Sequence, residues 1–177
     1  LGFDPIFNIE LNNNCLKPAS LNDLKKELQL RNPQQWLELC LRMAKYKKEN
    51  KELLSFLLFL SEDEAAYIVD MKKEMDMQFK DLNTSTYYKA NKSLRKVLKY
   101  TNKQIRYSGS KRVECELLIY FCSKYKALKL KINSSTMLAN LWNGQLVKIQ
   151  KAISNLHEDL QFDYQKELVN LGSEISK

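Results

Sequence analysis

From position 21 onward, apolar residues in this chain recur at intervals of three and four, and polar capping residues interrupt them at regular stations. That spacing is the period of a helix buried along one face. Ser20 precedes Leu21, Leu24 and Leu28 and reads as the N-cap of a first helix, with Asp23 near the positive end of its dipole. Asn32-Pro33 restarts the chain with a cap followed by proline at the first helical position, where a missing N–H costs nothing. A second helix runs to about Glu49, with Trp36, Leu37, Cys40, Leu41 and Ala44 on one side. Asn50 caps a third, Lys51 to Leu60, which is apolar nearly all round and is expected at the buried centre of a bundle. Ser61 and Glu64 make a capping box for a fourth helix, to about Asp81, with Ala65, Ile68, Val69, Met75, Phe79 and Leu82 at core spacing.

The pattern continues in the second half. Asn83-Thr84-Ser85 leads into a fifth helix from about Thr86 to Tyr107, which ends at Ser108-Gly109-Ser110, where Gly109 suits the left-handed position after a helix. A sixth helix begins after Ser110 and carries Val113, Leu117, Leu118, Phe121, Cys122 and Tyr125, so the two form an αα-hairpin. Leu128 to Ile132 alternates apolar residues with lysine but is short for a strand. Ser134 or Ser135 opens a seventh helix with Met137, Leu138, Leu141, Trp142, Ile149 and Ile153, and an acidic eighth spans about Glu158 to Leu171. The expected fold is all-α: six to eight helices in antiparallel hairpins, forming a bundle or a short α-solenoid-like stack. Residues 1–19 lack this period and read as an extended arm, lying across the body or against a neighbouring molecule. Residues 20–177 form one helical domain, with 20–82 and 83–177 as candidate halves.

A loose internal echo runs through the pattern. Lys45-Tyr46 to Leu58 and Arg106-Tyr107 to Phe121 each place a basic–Tyr pair at a helix end, then a polar turn, then Glu-Leu-Leu opening an apolar helix. Two copies of a helical hairpin, or convergence of two hairpins on one pattern, both account for it. With the caps, the Glu-Leu-Leu hairpin and the Lys92–Tyr107 run KSLRKVLKYTNKQIRY, residues 20–128 resemble the small, Lys- and Tyr-rich helical domains of unknown function common in bacterial genomes. The resemblance implies an all-helical fold and brings no activity or site residue with it.

Composition narrows the class. The 177 residues include only four glycines and three prolines, which favours long helices over a loop-rich β protein. No 18-residue uncharged apolar run exists, so no membrane-spanning segment is expected. The opening stretch lacks a basic region followed by an apolar one. Cys15, Cys40, Cys115 and Cys122 show no metal-ligand or disulfide spacing and read as reduced thiols, so a cytoplasmic location is expected, a bacterial one if the resemblance holds.

Charge changes the picture more. Residues 87–131 hold 13 Lys/Arg against Glu114 and Glu116, a local +11, while the remainder sums to −3. On a helical wheel, Ala90, Leu94, Val97, Leu98, Thr101 and Ile105 share one side of the fifth helix. Lys89, Lys92, Lys96, Lys99, Lys103 and Arg106 share the other, flanked by Tyr100 and Tyr107 on one edge and Tyr88 and Arg95 on the other. Such a face suits a polyanion, with the tyrosines available to stack on unpaired bases. The competing expectations are internal neutralisation, by the acids at 62–81 or 158–171, and a solvated face that serves solubility.

Catalytic chemistry is not written here. Phosphate-loop, dinucleotide, zinc-hydrolase and serine-elbow motifs are absent, and one histidine, His157, cannot build a di-iron helical site. Cys115 and Cys122 lie on an apolar helix that raises rather than lowers a thiol pKa. The expectation is therefore a non-enzymatic binding or scaffold module without cofactor or metal. Its partner is another protein or a second copy. The alternative is nucleic acid, RNA or single-stranded, held on the basic face at 86–107.

Overall fold

A computed structural model describes residues 17–172, so most of the arm read at 1–19 lies outside the described residues. Two compact units divide at Lys51/Glu52. Among the described residues all regular structure is helical, with no strand.

The first unit holds α1 (Leu21–Gln29) and α2 (Pro33–Tyr46). Ser20 accepts from the Asp23 N–H, and Asn32 with Gln35 forms a reciprocal capping box ahead of Pro33. Extended backbone at Lys47 then ends α2, and α3 (Lys48–Phe59) starts at once. Asn50, expected to cap the third helix, sits inside it instead. Its side-chain Nδ2 donates to the Met43 carbonyl at 2.9 Å, closing the end of α2, because that orphan carbonyl needs a donor.

The second unit contains the rest of α3 and α4 (Glu64–Lys80), α5 (Tyr87–Ser108) and α6 (Lys111–Ala127). After a 3₁₀ turn at Ile132–Ser134 come α7 (Thr136–Ile153) and α8 (Glu158–Gly172). The capping box expected at Ser61/Glu64 does not form. Asp63 caps α4 by accepting from the Ala66 N–H, and Ser61 donates to the Leu57 carbonyl at the end of α3. Gly109 adopts φ 64°, as the turn between α5 and α6 requires, and Ser110 caps α6.

α6 is the centre of this unit, packed against α4, α5, α7 and α8. Val113, Cys115, Leu117, Leu118, Ile119, Phe121, Cys122 and Tyr125 are buried on nearly every side of it. Packing between helices that are not sequence neighbours, such as α4 with α6 and α5 with α7, makes this a bundle and not a stack of repeats. Aromatic edges thread the core from Phe79 of α4 through Phe121 and Tyr125 of α6 to Trp142 of α7, at centroid separations of 5.6, 6.1 and 5.5 Å. The position expected of α3 is thus taken by α6. In α3 only Phe56 is buried, against Tyr67 at 4.9 Å, while Leu57, Leu58 and Phe59 are exposed. In α4 the buried face is Tyr67, Ile68, Met75 and Phe79. Ala65 and Val69, expected in the core, are exposed. No described helix is long and apolar enough to cross a membrane.

Candidate functional site

α5 is held on three sides. Thr86 caps its start by accepting from the Lys89 N–H, Gly109 closes its end, and its inner face buries Ala90, Asn91, Leu94, Val97, Leu98 and Thr101 against α4, α6 and α7. The outer face is consequently a rigid platform. Lys89, Lys92, Lys96 and Lys99 stand on it exposed, with no ion-pair partner among the described residues. Arg106 is exposed at its C-terminal end, and Arg95, on the flank, donates from Nε to Asn91 Oδ1 at 3.4 Å. Repulsion between like charges three or four apart costs about 0.2–0.5 kcal/mol per pair. The buried inner face maintains the helix against that cost.

Among the described residues no acid of α4 or α8 pairs with the stripe, and three of those in α4 are bonded elsewhere. Glu64 pairs with Arg112, Asp70 with Lys73, and Asp76 takes Lys124 at 2.6 Å and the Tyr120 hydroxyl at 2.8 Å. An acid the charge pattern had not singled out closes one end of the stripe instead. Glu52 of α3 accepts from Lys103 Nζ at 2.8 Å and from the Tyr107 hydroxyl at 2.9 Å, all three partly buried. Its place in the Glu-Leu-Leu echo was the available signal. The equivalent Glu116 of α6 likewise takes one lysine and one tyrosine, Lys72 Nζ at 2.5 Å and the Tyr164 hydroxyl at 2.8 Å.

The flanking tyrosines turn inward. Tyr100 is half-buried, its hydroxyl 3.9 Å from Met71 Sδ and its ring beneath Lys103 Nζ, and burial raises its phenol pKa above the usual value. Tyr107 is spent on Glu52. Tyr88 is the exposed aromatic on the opposite edge, at the N-terminal end.

A second surface lies within the first unit. No residue of α1 or α2 is buried, yet Leu21, Leu24, Leu30, Leu37, Leu41 and Met43 are among its exposed large apolar side chains. A groove of about 480 Å³ between the two helices is lined by Leu24, Leu28 and Leu39 and rimmed by Glu27, Arg31, Glu38 and Arg42.

The residues weighed for chemistry are placed as follows. Cys115 and Cys122 are buried in α6, and burial pushes both thiols up to about 12. His157 is exposed at the start of α8, its Nδ1 3.2 Å from Asp159 Oδ2. Among the described residues no three His, Cys, Asp or Glu side chains gather where a metal ion could be held. Among the described residues the second unit is an all-α bundle with a basic face on α5, and the first unit carries an apolar groove. No protein-family model, curated protein or solved structure matches the chain.

Proposed function

We infer that this protein is a non-catalytic helical interaction module that self-associates through the groove between α1 and α2. One observation carries this: two well-capped amphipathic helices that bury none of their own residues. A helix pair this short gains its stability from covering an apolar face, not from intrinsic propensity. The rim makes a second copy a fitting cover. Glu27 on α1 pairs with Arg31 just beyond its end at 3.6 Å, and together with Glu38 and Arg42 on α2 they balance in charge. A two-fold axis can set acids of one copy against bases of the other around the leucines.

Sedimentation velocity over a series from micromolar to hundreds of micromolar tests this. The mass is expected to rise from one chain to two. Full burial of a leucine is worth about 1.5–3 kcal/mol, so Leu24→Asp with Leu39→Asp should weaken the dimer about a hundredfold or more. Helicity should persist in that variant, because the buried residues among those described lie in the second unit. A one-chain mass at every wild-type concentration sinks the reading. So does slow hydrogen exchange across α1 and α2 in the monomer, which would mean that their faces are already covered there.

A further inference from the structure

Independently of that groove, we propose that the outer face of α5 docks on the phosphate backbone of double-stranded nucleic acid, without reading its sequence. Three features of the surface choose this partner over other anions. The first is register. Lys89, Lys92, Lys96 and Lys99 form one row on a helix packed on its inner side, and the ten-step rise from Lys89 to Lys99 is about 15 Å. One strand of a duplex presents a phosphate every 3.4 Å or so along the axis, so the row matches about four phosphates.

The second feature is the absence of stacking groups along the row. A single-strand binder uses aromatic faces on which successive bases lie. Tyr100 and Tyr107 are instead turned to Met71 and Glu52, leaving exposed aromatics only at the N-terminal end, Tyr87 and Tyr88, and none along the row. Contact is then with the backbone, which a duplex offers in its most regular form. The third is where the apolar side of α5 goes. A helix that lies on a membrane inserts its apolar face into the lipid; here that face is buried against α4, α6 and α7. A protein partner would look for apolar anchors at the centre of the patch, and the four-lysine row has none.

The test is binding of the full chain to a fluorescent 20-base-pair DNA duplex over a salt series, with a matching RNA duplex, oligothymidylate and phosphatidylserine vesicles as parallel arms. Four phosphate contacts predict a slope of log K against log salt near about −3.6. Lys92→Gln should flatten it by about 0.9, and Lys92→Gln with Lys96→Gln by about twice that. These side chains are exposed and unpaired, so both variants should melt like the wild type. Lys148→Gln, on the exposed side of α7, should leave the slope unchanged. Tighter binding to oligothymidylate or to the vesicles than to either duplex overturns the proposal. So does no binding at low salt, or a slope that Lys92→Gln leaves intact.

Discussion

Single carboxylates organise the polar contacts between helices. Burial opposes the charge of Glu116, but hydrogen bonds from Lys72 and Tyr164, with the nearby Arg112 charge, outweigh it and hold the carboxyl below its ordinary 4.5. For Asp76, hydrogen bonds from Lys124 and Tyr120 act in the same direction. A carboxyl depressed in the folded state contributes stability above its unfolded pKa, which is lost as pH falls through the folded one. Glu167 has the opposite sign, raised by burial and by the charge of Glu116, and it offsets part of this. The Tm should therefore fall as the pH drops below about 4.5, and Glu116→Gln should flatten that fall while lowering Tm at neutral pH. Lys72 and Glu116 are both mostly covered, so the neutral-pH cost is about 1–3 kcal/mol. Asp76→Asn, on a more exposed pair, should cost less than about 1 kcal/mol. Thermal melts of the three proteins from pH 3 to 8 check both signs; an acid limb unchanged in Glu116→Gln would show the assignment to be wrong.

Helices were legible from the sequence wherever local chemistry fixes their ends. The starts at Leu21, Pro33, Lys111 and Glu158 and the turn at Gly109 depend on neighbours within four residues, and such signals survive without knowledge of the fold. Gly109 is the clearest case. At φ 64° a Cβ meets no atom within 4 Å, so a substitution costs backbone strain alone. Gly109→Ala should lose about 1–2 kcal/mol and Gly109→Asn less, measurable as shifts in urea midpoint at unchanged m-value. Where two signals competed, position along the chain did not decide between them. Asn50 was equally able to cap the helix after it or close the one before it, and the unpaired Met43 carbonyl won. Ser61 went to the Leu57 carbonyl in the same way, leaving Asp63 as the cap. The Glu-Leu-Leu echo is real in its glutamates, each holding a lysine and a tyrosine. It fails in its leucines, which are buried in α6 and only partly covered or exposed in α3.

Across the whole molecule, apolar density and burial part company. Among the described residues every buried one lies at Phe56 or beyond, so the second unit holds a core of its own. A fragment of residues 47–177 should unfold cooperatively, with a Tm within a few degrees of the full chain; a broad, non-cooperative melt would show that the first unit helps to hold that core. Of the basic stripe, the sequence supplied the helix, the face and all six cations, since charge and apolar periodicity are properties of one segment. It was silent on which lysines stay open, because that turns on acids brought from elsewhere in the chain. Glu52 closes the Lys103 end, while the acids of α4 bond to α6 or to their own helix. The same division separates α3 from α6. Both are apolar all round, and periodicity alone ranks them together. Burial depends on how many neighbouring helices can reach each one, and four surround α6, while Leu57 and Leu58 of α3 remain in solvent.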